Sequence, residues 1–171
     1  VIKIAHNISN LSDARYFAAY GFDWIIFNFG PGAQQHRHLL YGISEWISGA
    51  RIGMHVDSYE DLYDHMEHHP EVSGFLLGDG VIVEDTYEQY TFFGFSPLNQ
   101  PLNYFLIVNN VEDLFTGARQ PVLDLTFNDP RSVDLHVLKP AGITISGTEE
   151  ERPGFKSYAS MEEWMDILDT I

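Results

Sequence analysis

The 171-residue sequence contains no cysteine. Disulfides, thiolate metal sites and a thiol nucleophile are therefore excluded. Basic residues are scarce too: nine Lys and Arg stand against 25 Asp and Glu, a formal net charge of −16. Such a surface repels the nucleic-acid backbone and anionic membranes, so neither is expected as a partner. It also opposes long-range attraction of a phosphorylated ligand. Any phosphate site then has to be built locally, from backbone amides and one or two Arg or Lys. No apolar run reaches membrane-spanning length. No charged-then-apolar secretory signal opens the sequence, and a cytoplasmic location is the expectation. What is present is 44% hydrophobic residues, with 14% aromatics. That suffices for a substantial core, and with no linker in view residues 1–171 read as one globular domain.

Strand-like and helix-like pieces alternate along the chain. Strands are expected at 1–5, 23–29, 51–56, 72–77, 91–95, 103–108, 122–127 and 142–146. Helices are expected at 13–20 (capped by Asn10 or Ser12 and stopped by Gly21), 39–47, 59–68, 111–118, 129–138 and 160–168. Strand–helix alternation implies parallel strands with right-handed crossovers. Eight strands point to a (β/α)8 TIM barrel, although such barrels usually need at least ~200 residues. The deficit falls in the middle, so the expected fold is a trimmed barrel with reduced helices after strands 4 and 5.

The last strand, 142–146, runs into Ser146-Gly147 and an acidic turn, then Pro153-Gly154. A strand ending in Ser-Gly leaves backbone N–H groups and a hydroxyl open to an anion. The same residues also describe an ordinary strand-to-helix turn. His65 and His69 lie four apart on a helix, which is metal-ligand spacing, but no third ligand is evident and surface histidines are expected. Asp57 and Asp79 end two strands on the side where barrel sites form, and helix capping is the preferred reading for both. His55 reaches the mouth if Gly53 and His55 face the barrel interior.

Several segments resemble the phosphoribosylanthranilate isomerase family. Ile2-Lys3-Ile4-Ala5 resembles its opening strand, Lys-Ile-Cys-Gly. Asp13-Ala14-Arg15, Ala18-Ala19 and Gly21-Phe22-Asp23 resemble the first helix and its exit. Ile25-Ile26-Phe27-Asn28-Phe29 resembles the second strand, and His36-Arg37-His38 lies near the family's Ser-Pro-Arg segment. Ile52-Gly53-Met54-His55-Val56-Asp57 resembles the third strand, and Leu77-Gly78-Asp79 the end of the fourth. Lys139 to Glu149, with Pro153-Gly154-Phe155-Lys156, resembles the last strand and its phosphate-binding turn. The resemblance covers residues 1–80 and 122–171.

The resemblance implies an Amadori rearrangement of a phosphorylated ribosyl-amine in tryptophan biosynthesis, with no cofactor and no metal. A general base removes the C2 proton and a general acid helps open the ribose ring. The implied base is a Cys at the end of the first strand, where this chain carries Ala5. His6 follows it, as a substitute base or as a locally hydrogen-bonded ring. The implied acid is an Asp at the end of the sixth strand, where 103–108 runs into Asn109-Asn110. Asp124 takes the acid's place only if 122–125 is the sixth strand. The 22 residues from Asp124 to Ser146 favour the seventh instead. Leu125-Thr126-Phe127 then replaces the family's Gly-Gly phosphate turn, with Thr126 left to donate one hydrogen bond. Ser146, Gly147, Thr126 and Arg37 are the candidate ligand contacts. Arg37 either pairs with a ligand carboxylate or is solvated.

Two functions follow from this reading. One is an isomerase-like enzyme acting on a small phosphorylated sugar derivative, with weak, altered or lost parent activity. Losing one proton-transfer group typically costs about 10²–10⁴ in rate. The other is a non-catalytic barrel that binds a ligand or a protein, with aromatics of 87–95 as a contact patch if exposed. The oligomeric state is left open.

Overall fold

Eight runs of apolar, β-branched and aromatic residues form strands, and the strands close on one another. They are β1 (Ile2–Ile8), β2 (Trp24–Phe27), β3 (Arg51–Val56), β4 (Val72–Leu77), β5 (Thr91–Gly94), β6 (Tyr104–Val108), β7 (Pro121–Asp124) and β8 (Gly142–Ser146). Each pairs in parallel with the next, and β8 pairs back onto β1. The structure is a computed structural model describing residues 1–30, 33–83, 87–96, 101, 103–115, 117, 120–147 and 158–170, and the backbone alone at 33–37 and 160.

The helices are few, as expected of a trimmed (β/α)8 barrel. They are α1 (Leu11–Ala19), α2 (Ala33–Ser44), α3 (Tyr59–His68), α4 (Leu135–Leu138) and α5 (Ala159–Leu168). Asn10 caps α1 by accepting the Asp13 amide at 2.8 Å, and Gly21 leaves the helix at φ +70°. Among the described residues no helix lies between β4 and β5 or between β5 and β6. None is long and apolar enough to cross a membrane.

Two expected helices are corrected. Residues 111–115 form only a 3-10 turn. The helix expected at 129–138 shrinks to the four residues of α4. Asp129 accepts the Arg131 amide on its side chain and the Ser132 amide on its carbonyl. Asp134 then accepts the His136 and Val137 amides and starts α4 late. Local side-chain bonds thus compete with the helix.

Strand alternation sorts the core into two parts. Ile4, Trp24, Ile26, Leu76, Phe93, Ile107 and Val122 fill the barrel. The intervening residues, such as Ala5, Ile25, Met54, Phe75, Leu123, Ile143 and Ile145, face outward and pack under the helices and loops. Trp24 meets Phe93 edge-to-face at 5.1 Å, and Phe93 stacks on Phe105 at 5.5 Å. Gly74 makes room for the indole. A Cβ there would stand 2.6 Å from Trp24 Cζ3 and 2.9 Å from the Thr91 carbonyl. Neither neighbour is a flexible chain end. Gly74→Ala should therefore destabilise the barrel by about 1–3 kcal/mol, measured as a lowered urea midpoint, where an ordinary strand Gly→Ala would be neutral or stabilising.

Candidate active site

All eight strands point the same way, so their C-terminal ends share one mouth. The inward-facing residue at the end of β1 is His6, which continues the Ile2, Ile4 alternation. Ala5 faces outward into the packing under the helices and is fully buried there. Ala5 therefore does not face the mouth, and the mouth end of β1 carries an imidazole. Beyond His6 the chain bulges. The β1–β2 register shifts between Ala5 and Ile8, and Asn7 takes up the extra residue at φ +55°. Asn tolerates that left-handed conformation better than most residues.

Asp124 ends β7, the seventh strand favoured by its spacing to Ser146. It follows inward-facing Val122 by two residues and faces the interior beside its register partner, Thr144. Asp124 is 1% exposed and His6 9%. Asp124 Oδ2 lies 3.5 Å from His6 Nε2, which is long for a hydrogen bond and close enough for a strong charge interaction. Asp124 Oδ1 accepts the Thr126 amide at 2.9 Å. Burial alone would push the Asp124 carboxyl up. The His6 imidazole 3.5 Å away and the Thr126 donors outweigh burial and hold the carboxyl below its usual range.

The Ser146-Gly147 turn is less open than its sequence suggests. The Ser146 amide donates to Thr126 Oγ1 at 2.8 Å, and the Gly147 amide to the His6 carbonyl at 2.7 Å. Both backbone donors expected for an anion are therefore engaged within the fold. The Thr126 hydroxyl accepts here, and its own proton is left to donate. Ser146 Oγ donates to the Gly147 carbonyl at 2.9 Å. Asn7 Nδ2 reaches Ser146 Oγ at 3.4 Å, and Asn28 Nδ2 donates to Asn7 Oδ1 at 3.2 Å. A polar chain thus runs along the rim from β2 across β1 to β8. Gly147 is required by space: a Cβ would meet Ile8 Cδ1 at 2.8 Å and Asp13 Oδ2 at 2.9 Å. Asp13 in turn accepts the Tyr158 hydroxyl at 2.9 Å and ties the start of α1 to the start of α5.

His6, Asp124, Thr126 and Ser146 are thus brought together. The side chain of Arg37, and the stretch from Thr148 to Lys156, lie outside the described residues. Asn109 and Asn110 follow β6 as expected; Asn109 accepts Asn128 Nδ2 on its carbonyl, and Asn110 reaches Asp113 through Nδ2. His55 follows Gly53 on the inner face, and its Nε2 lies 3.3 Å from Asp57. Ser58, not Asp57, caps α3. Among the described residues no helix follows Asp79 for it to cap.

His65 and His69 are not surface histidines. They are 2% and 1% exposed, with rings 5.0 Å apart, on the side of α3 that also buries Leu62. Among the described residues no three His, Asp or Glu side chains group as a metal site. Asn7, Asn28 and Phe95 were not among the candidate residues for the mouth. Phe95 meets His6 edge-on at 6.4 Å. Counting two residues on from the inward-facing Ile26 and Phe93 would have found Asn28 and Phe95.

The architecture is that of a shortened (β/α)8 barrel with a buried His–Asp pair at the C-terminal mouth. The barrel fold, though not the pair, is matched by solved structures over nearly their whole length. The chain matches phosphoribosyl anthranilate isomerase from Thermus thermophilus at a TM-score of 0.66, with 17% identity over 99% of each chain. It matches mutually generated monomers of the dimeric phosphoribosylanthranilate isomerase from Thermotoga maritima at 0.62, with 17% identity over 100% of each chain. No protein-family model and no curated protein matches the sequence.

The downward shift at Asp124 has a signed consequence. Its stabilising contribution is complete above the ordinary carboxylate value of about 3.9 and is lost as pH falls through the lowered folded value. Asp124→Asn should cost about 1–3 kcal/mol at neutral pH. That deficit against wild type should shrink as both are acidified. Urea midpoints measured from neutral pH downward check this, and a pH-independent deficit contradicts it.

Proposed function

We propose that the chain is a divergent relative of phosphoribosylanthranilate isomerase that retains an acid–base site and acts on a small phosphorylated sugar derivative. The observation that carries this reading is the inward-facing His6 held 3.5 Å from buried Asp124 at the barrel mouth. With Nε2 turned to the carboxylate, that nitrogen carries the proton and Nδ1 is left as the base. Taking a C–H proton next to a carbonyl or iminium carbon turns the ring into imidazolium. The Asp124 carboxylate stabilises that charge, and the ring then returns the proton to the neighbouring carbon. His6 is the catalytic residue in this scheme and Asp124 its positioning residue.

The phosphate and hydroxyls of the ligand fall to Thr126, Ser146 and Arg37 side chains, while Gly147 lets the chain pack against Ile8 and Asp13. The engaged amides of Ser146 and Gly147 leave this task to side chains. Asn109 and Asn110 supply no acid at the end of β6. The parent Amadori rearrangement is on this account weak or altered. The engaged amides favour a second reading, a non-catalytic barrel that binds a ligand or a protein.

Complementation of a tryptophan auxotroph lacking the isomerase tests the parent reaction. Solvent deuterium exchange into phosphorylated aldoses and ribosyl-amines tests proton transfer directly. Exchange by the wild type should fall about 10²–10⁴-fold in His6→Ala and in His6→Gln. No growth together with no exchange by the wild type would sink the enzyme reading in favour of the binding one.

A further inference from the structure

Among the described residues no helix lies between β4 and β5, so α3 faces that connection itself, and a groove of about 310 Å³ runs between them. Its walls are Tyr59 and Tyr63, one turn apart on α3, with Ile82 and Tyr87 opposite. Leu62 and Val83 form its apolar floor. The walls are open to solvent: Tyr59 is 44% exposed, Tyr63 51% and Ile82 43%. They are also held in place. The Tyr59 hydroxyl accepts the Ile82 amide at 2.8 Å, and the Tyr87 hydroxyl donates to that of Tyr63 at 3.3 Å. Exposed rings fixed in this way lose little freedom when something docks against them.

The charge around the groove is of one sign. Residues 52–118 contain twelve Asp and Glu and no Lys or Arg. His55, His68 and His69 face three of these acids, Asp57, Asp64 and Glu71. Glu60 and Glu67 on α3, with Asp79 and Glu88 on the connection, form no ion pair among the described residues. Glu60, Tyr63 and Glu67 recur at helical spacing, which sets a ring between two carboxylates on one face of α3. Those two positions are about 10 Å apart along the helix. One small cation cannot pair with both, whereas a segment carrying several can. Like charge disfavours a second copy of this chain as the occupant.

We propose that this groove docks a basic segment of a partner protein, in which Arg or Lys side chains flank an apolar one. The cations stack on the Tyr59 and Tyr63 rings and pair with Glu60 and Glu67. The apolar side chain sits over Leu62 and Val83. The groove lies outside the barrel, away from the His6–Asp124 mouth, and stands whether or not the mouth is catalytic.

The test titrates the full chain, labelled with ¹⁵N, with the peptide acetyl-Arg-Arg-Leu-Arg-Arg-amide at low ionic strength. Amide signals of α3 and of Ile82 should shift saturably, and those of the acidic helix α5 should not. The same peptide with citrulline for arginine should bind about tenfold more weakly or worse. Tyr63→Ser should weaken binding about two- to fivefold, and Tyr63→Phe, which keeps the ring, should not. Glu60→Gln with Glu67→Gln should weaken it about threefold or more. Glu162→Gln with Asp166→Asn on α5, an equal change of charge, should leave it unchanged. No saturable shift in the wild type overturns the proposal. So do equal shifts on α3 and α5, equal binding of the citrulline peptide, or spermine binding as tightly as the peptide. Concentration-dependent shifts of the same amides without peptide would put a second copy in the groove and overturn it as well. If a variant does not fold, the comparison of the arginine with the citrulline peptide on the wild type decides alone.

Discussion

A strand in a closed barrel presents every second side chain to the interior, and its hydrogen bonds to both neighbours fix which set that is. In β1 the register with β8 pairs Ile4 with Thr144 and His6 with Ser146. Ile2, Ile4 and His6 therefore face in, and Ala5 faces out. Shifting that facing by one residue would put Ala5 at the mouth and bury an imidazole under the helices. The bulge at Asn7 follows, because Ile8 must return to the outer core after His6 has turned inward. The His6 carbonyl then accepts the Gly147 amide, so the same facing also shapes the turn after β8.

The barrel interior below this mouth is apolar and closely filled. Trp24 is large enough to reach across to β4 and β5, and Gly74 is the concession that lets it. A filled interior confines polar chemistry to the two ends of the barrel. At one end His6 and Asp124 share a buried contact, with Thr126 and Ser146 beside them. At the other, Arg51 and Asn103 border an open hollow.

Much of the fold was legible because strands with apolar runs and helices with apolar stripes carry their periods in the sequence. That no helix follows β4 or β5 among the described residues was legible as a shortage of chain between strands. The facing of β1 was not, since alternation in isolation leaves two choices and only pairing with β8 and β2 selects one. The burial of His65 and His69 was not, since the polar residues around them on α3 resemble a solvated surface. The Ser146 and Gly147 amides read as free because their acceptors, Thr126 and His6, sit on other strands. Asp129 and Asp134 both carry helix-start signals, and only the later one starts α4.

The account rests on His6, not Ala5, occupying the mouth. A chain without cysteine gives a silent background for testing this with single thiols. His6→Cys and Ala5→Cys would be treated with methyl methanethiosulfonate under native conditions and followed by mass spectrometry. The account predicts that the thiol at position 6 reacts at least about tenfold faster, with both reacting alike in denaturant. Equal native rates, or a faster reaction at position 5, would contradict it.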